Sequence, residues 1–465
     1  MPATGRESPS VPLSRRDFLR LAAVTVGATM LPIGLARAAG GLAATTATPG
    51  ICIEDLPLIL NLAATAEALA MTFYYKAIQS DWFVRLPNDI QNAFRAALDQ
   101  ERSHYQYLTA QGAAPLQTSF YFPPRTFGFD DLAVFVATIE KLESDFMAAY
   151  LAAARRFVEL GEPVLAEIAG QIVGIEAEHR VLGREVAGDS PPPPNDLCFE
   201  SAPLECPAQM MGIFTFYFYG GANYQGPFAM PSDAQVIAAI HGVTCEAVPL
   251  AVAATCQESL ADILGIAAAA EAVGITFYYQ GILGGFFHDL SETRQWYLQA
   301  ALDEERNHLA YLVAQGAASP PTRLYYPANA FNDLPTFLGI LDTLENAFIA
   351  AYLAAMQQFA RLGLPLLAQT AGQILGVEAE HRILGRFIGG QQPPNNLCLV
   401  RASFPCVADA ATALRPFLQG SDTFTRAADL PTTTQINVAV DRFGCAPIPT
   451  AAYRTFLPTV RRAGR

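Results

Sequence analysis

One fifteen-residue stretch occurs twice in this chain almost letter for letter. GQIVGIEAEHRVLGR runs from Gly170 to Arg184, and GQILGVEAEHRILGR from Gly372 to Arg386. In each, a Glu stands three residues before a His: Glu176 with His179, and Glu378 with His381. On a helix that spacing puts both side chains on one face, about one turn apart. A carboxylate and an imidazole projecting together into a bundle interior are how two helices of a four-helix bundle hold a pair of metal ions.

The duplication extends well beyond this motif. AEALAMTFYY (Ala66 to Tyr75) returns as AEAVGITFYY (Ala270 to Tyr279), LDQERSHYQYLTAQGAA (from Leu98) as LDEERNHLAYLVAQGAA (from Leu302), and ESDFMAAYLAA (from Glu143) as ENAFIAAYLAA (from Glu345). The blocks are rich in good helix formers and separated by Gly or Pro, which predicts four long helices per copy. In the first copy these are helix A from Asp55 to Ser80, B from Pro87 to Gly112, C from Asp130 to Leu160 and D from Pro163 to Val186. Gly161 and Gly363 stop helix C, and Pro163 and Pro365 open helix D.

The B-to-C connection is long, Pro- and aromatic-rich, and not helical. Glu101 and Glu143 lie at similar depth from the starts of B and C, about 21 Å in, which requires those helices to run parallel. The return distance is about 33 Å, and about 17 extended residues reach roughly 55 Å, so the connection fits a crossover along the bundle. After helix D, PPPPND and QPPNN end the bundles, and each is followed by a short cysteine-bearing accessory segment. There QINVAVDR (Gln435 to Arg442) alternates like a strand.

Six polar residues recur at matched positions. Copy one has Glu67 on A, Glu101 and His104 on B, Glu143 on C, and Glu176 and His179 on D. Copy two has Glu271, Glu305, His308, Glu345, Glu378 and His381. One Glu on each of two helices and Glu-x-x-His on each of the other two is the ligand set of a carboxylate-bridged dinuclear site. Four of the six histidines sit in such pairs, and the surroundings are apolar rather than solvated. Four carboxylates buried without cations would be forced to take up protons, whereas two divalent ions balance them with both His neutral. Glu178 and Glu380 point away from the ligands, towards Arg partners. Asp99 and Asp303 fall on another face, Glu140 and Asp342, one turn before the helix C Glu, read as a solvated pair with a cation entry site as the alternative, and His241 and His288 have structural roles.

With 52% hydrophobic residues, 15% charged and a net charge of −14, the chain has neither a disordered composition nor the basic patch that nucleic acid requires. Ser14 to Arg20 (SRRDFLR), a short apolar run and Ala36-Arg37-Ala38 read as a twin-arginine signal peptide over 1–38, with a run too short for a stable membrane anchor. Cys52, Cys198, Cys206 and Cys245 are repeated by Cys256, Cys398, Cys406 and Cys445. In an exported chain this reads as two disulfides per repeat, each set open to three connectivities, while the lack of a CxxC pair argues against a thiolate metal site. The expected units are bundle one at 52–188, an accessory linker at 189–255, bundle two at 256–390 and a C-terminal accessory segment at 391–465.

These residues resemble the ferritin-like superfamily of ferritins, bacterioferritins, rubrerythrins and manganese catalases, over Asp55–Val186 and Asp262–Ile388. More narrowly, the chain is similar to exported twin-arginine ferritin-like domain proteins. The expected class is all-α: two tandem ferritin-like four-helix bundles, each with a long B–C crossover and a disulfide-stapled accessory segment with minor β. The resemblance implies bridging roles for Glu101 and Glu176 and for Glu305 and Glu378, and places Tyr74 and Tyr278 near the metals as catalytic candidates. The expected cofactors are two dinuclear centres, of iron foremost or of manganese, acting on O2 or peroxide or oxidising Fe(II). The partners are then metal ions and an external electron donor, with the copies packed as an internal pseudo-dimer. Metal sequestration outside the cytoplasm and a non-catalytic envelope scaffold are the rival readings.

Overall fold

The computed structural model describes residues 52–128, 132–187, 195–441 and 444–445, and the twin-arginine segment lies outside them. Several helix starts fall where a side chain can satisfy the first free N–H groups. Asp55 accepts from the Leu58 N–H at 3.1 Å and opens α1 (Leu56–Ile78). Then come α2 (Asn88–Ala110), β1 (Ser119–Phe122), α3 (Leu132–Leu160) and α4 (Pro163–Ala187). The first accessory segment holds α5 (Met210–Ile213), α6 (Thr215–Tyr219), β2 (Gln225–Ala229) and α7 (Asp233–Ala239). The second copy repeats the plan with α8 (Leu260–Ile282), α9 (Glu292–Ala314), β3 (Arg323–Tyr326), α10 (Leu334–Arg361) and α11 (Pro365–Ile388). Its accessory segment carries α12 (Val407–Gln419), β4 (Arg426–Asp429) and α13 (Thr433–Val440). Gly161 and Gly363, at φ 79° and 67°, adopt the left-handed conformation that ends one helix just before the proline opening the next.

Reciprocal contacts give the helix directions. Tyr74, seven residues after Glu67, donates to Glu143, while Tyr150, seven residues after Glu143, donates to Glu67. Contacts exchanged this way require α1 and α3 to be antiparallel. The short join makes α1 and α2 antiparallel as well, so α2 and α3 run parallel and the crossover must return the length of the bundle. That crossover is not bare coil. Its strand β1 pairs antiparallel with β2 of the accessory segment, as β3 does with β4.

The strand expected at Gln435–Arg442 is instead the helix α13 through Val440. Thr432 and Gln435 form a capping box, and the buried pair is Ile436 and Val440, four residues apart. The β-branched residues mimic strand alternation, but the cap and the i,i+4 burial decide for helix.

The copies meet through α3 and α4 against α10 and α11. A Cβ on Gly170 would lie 2.6 Å from Met356 Sδ, and one on Gly372 would lie 2.8 Å from Leu151 Cδ2. The missing side chains let these helices approach, and one apolar core including Leu151, Ile172, Leu353 and Ile374 spans both copies. Ion pairs cross this interface with exchanged roles. Arg180 donates to Glu380 at 2.7 Å and also pairs with Glu200, while Arg382 donates to Glu178. Glu178 and Glu380 thus face Arg side chains, as their spacing predicts, but the partners belong to the opposite copy.

The cysteine pairing departs from expectation. Cys52–Cys206 and Cys256–Cys406 lie within copies, whereas Cys198–Cys445 and Cys245–Cys398 join them. There is thus one disulfide per copy and two between copies. The cause is that the segments following α4 and α11 each cross onto the other bundle. The Val400 N–H, for example, donates to Gln171 O of α4, and the Glu200 N–H to Gln373 O of α11, at 3.3 Å each.

Non-reducing peptide mapping is expected to recover the two inter-copy disulfides, and two bonds confined to each copy would contradict this packing. Arg382→Leu leaves Glu178 as an unpaired buried charge and is expected to cost about 3–5 kcal/mol in denaturant unfolding. R382L/E178L removes both charges and should recover most of that loss.

Candidate metal centres

The helical periods predicted above bring all twelve expected ligand residues together, six in each bundle interior. None is more than 2% exposed. In the first bundle His104 Nδ1 lies 3.5 Å from both Glu67 Oε2 and Glu176 Oε1, and 3.9 Å from Glu101 Oε2. His179 Nδ1 lies 3.0 Å from Glu101 Oε1, 3.5 Å from Glu176 Oε2 and 3.9 Å from Glu143 Oε2. Glu101 and Glu176 therefore stand between the two imidazoles, with Glu67 and Glu143 at opposite ends. The second bundle repeats this: His308 Nδ1 is 3.4 Å from Glu271 and 3.2 Å from Glu378, and His381 Nδ1 is 3.2 Å from Glu378, 3.6 Å from Glu305 and 3.8 Å from Glu345.

The outer ring nitrogens fix the tautomers. His104 Nε2 is 2.8 Å from Cys398 O, and His308 Nε2 is 2.7 Å from Cys198 O. A carbonyl only accepts, so Nε2 carries a proton, and in the neutral imidazole that a bound cation requires the Nδ1 lone pair faces the carboxylates. Each of these carbonyls belongs to the other copy and to a cysteine of an inter-copy disulfide. The accessory segments, chemically silent as sequence, therefore orient the histidines of the opposite bundle. His179 Nε2 meets Gln100 Oε1 at 2.9 Å, while His381 Nε2 meets Glu304 Oε2 at 2.7 Å.

Tyr74 and Tyr278, the two catalytic candidates, each donate to the helix C carboxylate, Glu143 or Glu345, at 2.5 Å. Sequence reasoning missed their counterparts Tyr150 and Tyr352, which donate to Glu67 and Glu271. The signal was present, because a Tyr follows the ligand Glu by seven residues on helix C as well as on helix A. Burial, then the adjacent carboxylates, holds these phenols well above their usual pKa, so they remain donors.

Electrostatics show what the cluster lacks from protein groups alone. Burial and then the Glu176 charge hold the Glu101 and Glu143 carboxyls well above the usual carboxylate range. Burial would lower His104 and His308, but their carboxylate neighbours override it and push both up to about 10. Burial would raise Glu176 and Glu378, but the two histidines that face each carboxylate pull it down to about 2. Several atoms aimed into the centre are buried without a hydrogen-bond partner, among them both Glu101 oxygens, Glu143 Oε2, Glu176 Oε2 and the Nδ1 atoms of His104 and His179. Four carboxylates and two neutral imidazoles with inward lone pairs fit a pair of divalent cations, and these groupings are compatible with metal binding.

The remaining candidates lie elsewhere. Asp99 and Asp303 accept the N–H groups of Cys245 and Cys445 at 3.0 Å each. Glu140 and Asp342 sit 3.5 and 3.6 Å from Arg184 and Arg386, while His241 and His288 are exposed. All eight cysteines are paired in disulfides, which leaves no thiolate for a metal.

Neither the curated proteins nor the solved structures contain a match to this chain. The family model for the ferritin-like domain matches twice, over residues 57–189 and 259–388, which span the two bundles and both ligand clusters. Together these matches cover more than half of the sequence, and the chain belongs to the ferritin-like domain family as a tandem pair.

Proposed function

We propose that each bundle holds two metal ions, iron foremost and manganese as the alternative, and that the protein is an exported oxidoreductase acting on O2, peroxide or Fe(II). The observation that carries this reading is the convergence of unpartnered buried carboxylate oxygens and inward Nδ1 lone pairs. Oxygen and nitrogen ligands of this kind suit iron and manganese, and either metal, when bound, supplies a redox couple.

The chain's own residues do the rest. Glu101 and Glu176, which each face both imidazoles, would be the carboxylates that serve both ions, and in the second bundle Glu378, which faces both imidazoles, and Glu305, beside His381, would do the same. Tyr74 and Tyr150 occupy one oxygen of Glu143 and Glu67 and leave the other aimed inward. The hydrogen bonds at Nε2 hold the histidines in the tautomer a ligand needs. Surrounding Ala, Leu and Phe side chains exclude water and strengthen every charge interaction within.

Small substrates are favoured by the adjoining space. Apolar hollows reach Tyr150 and Tyr352 with cavity volumes of about 10 and 20 Å³, room for about one water-sized molecule each. Four disulfides and the leader sequence support an oxidising compartment outside the cytoplasm.

Metal analysis of protein recovered from the exported fraction is expected to give four ions per chain, with O2 consumed on Fe(II) addition or peroxide decomposed. Four ions without turnover would favour sequestration, and no metal would overturn the reading in favour of a scaffold. Glu101→Gln relieves one repelled carboxylate without changing its shape. In chelator-treated protein E101Q is expected to raise unfolding stability by about 1–4 kcal/mol, while weakening metal uptake by the same bundle.

A further inference from the structure

The six ligand residues are identical in type in both bundles, but the residue behind the helix D histidine is not. In the first bundle it is Gln100, with Oε1 2.9 Å from His179 Nε2. Its amide nitrogen donates to Leu397 O at 2.6 Å, and Asn395 Nδ2 donates to its Oε1 at 2.8 Å, so the neutral amide is satisfied. In the second bundle the matching residue is Glu304, whose Oε2 accepts from His381 Nε2 at 2.7 Å and from Asn195 Nδ2 at 3.1 Å. Its other oxygen, Oε1, is buried with no hydrogen-bond partner. Gln and Glu have the same shape and both side chains here are fully buried, so at this position the two bundles differ by one charge.

We propose that Glu304 makes the second bundle the tighter of the two for divalent cations, so that the chain fills its bundles in order. This rests on the metal-binding reading above. A carboxylate accepting from the far nitrogen of a ligand imidazole raises the basicity of the near one, while an amide only orients it. Glu304 also adds a negative charge to a dry site, and a cation held through His381 offsets it. Outer partners of this kind change metal affinity by about 10- to 100-fold. Glu304 is thus a positioning and affinity-setting residue, and Gln100 is its neutral counterpart.

Chelator-competed Mn(II) titration of the full chain tests this, with circular dichroism to verify folding. The wild type is expected to bind two ions tightly and two about 10- to 100-fold more weakly. Glu304→Gln should leave four weak ions, Gln100→Glu should give four tight ones, and Q100E/E304Q should restore two of each. The Q100E arm adds a charge where none exists, so the test does not depend on E304Q alone. Four equivalent ions in the wild type, or a tight phase untouched by E304Q, would overturn the proposal while leaving metal binding intact. No Mn(II) bound by any variant would overturn the metal-binding reading itself, and this proposal with it.

Discussion

Four carboxylates face one another inside each bundle, and the rest of the architecture accommodates that concentration of charge. Ionised acids in a dry interior repel each other and lack water, so they need cations, protons or donors brought close. Helices meet this demand economically. A three-residue spacing delivers a Glu and a His from one face of α2 and another pair from α4, while α1 and α3 add one Glu each. The tyrosines seven residues beyond the single Glu positions cross between helices and fix the outer carboxylate oxygens. Because that exchange demands antiparallel α1 and α3, the ligand geometry and the long crossover are consequences of the same topology.

The duplicated copies are more than two independent bundles on one chain. Each lends the other the carbonyl that orients its helix B histidine, through Cys198 O for His308 and Cys398 O for His104. The same two cysteines anchor the inter-copy disulfides, and buried Arg–Glu pairs with exchanged roles run between the ligand-bearing helices. A buried ion pair gives little net stability against a hydrophobic replacement, yet breaking one half is costly. Its value here lies in register: Glu178 and Glu380 sit between the candidate ligands of their own helices, so docking to the partner Arg sets the rotation of α4 and α11. Separating the copies would disturb both centres at once.

Much of this was legible from residue order. The Glu-x-x-His pairs, the matching single Glu positions and the crossover length depend on local helical geometry, which spacing reports directly, and the helix bounds of the first bundle lie within two residues of the spans read from the sequence. What escaped belongs to the relation between copies. Four cysteines per copy at nearly equal offsets carry no sign of which copy their partners occupy, because pairing depends on how the segments after α4 and α11 cross over. The carbonyls of Cys198 and Cys398 have no side-chain signature at all. Tyr150 and Tyr352 are different, since the same seven-residue spacing singled out Tyr74 and was present on helix C too. In α13, β-branched residues imitated a strand where a Thr–Gln cap and an i,i+4 apolar pair favour a helix.

The central claim is that each ring of carboxylates and imidazoles closes around two cations, and diffraction at metal absorption edges tests it most directly. Crystals of the exported protein should give two anomalous peaks in each bundle. One should lie beside Glu67 and His104 and the other beside Glu143 and His179, with Glu101 and Glu176 between them, and the same pattern should recur around Glu305 and Glu378. Anomalous maps empty at both clusters, in protein that still shows the buried side chains in place, would contradict it.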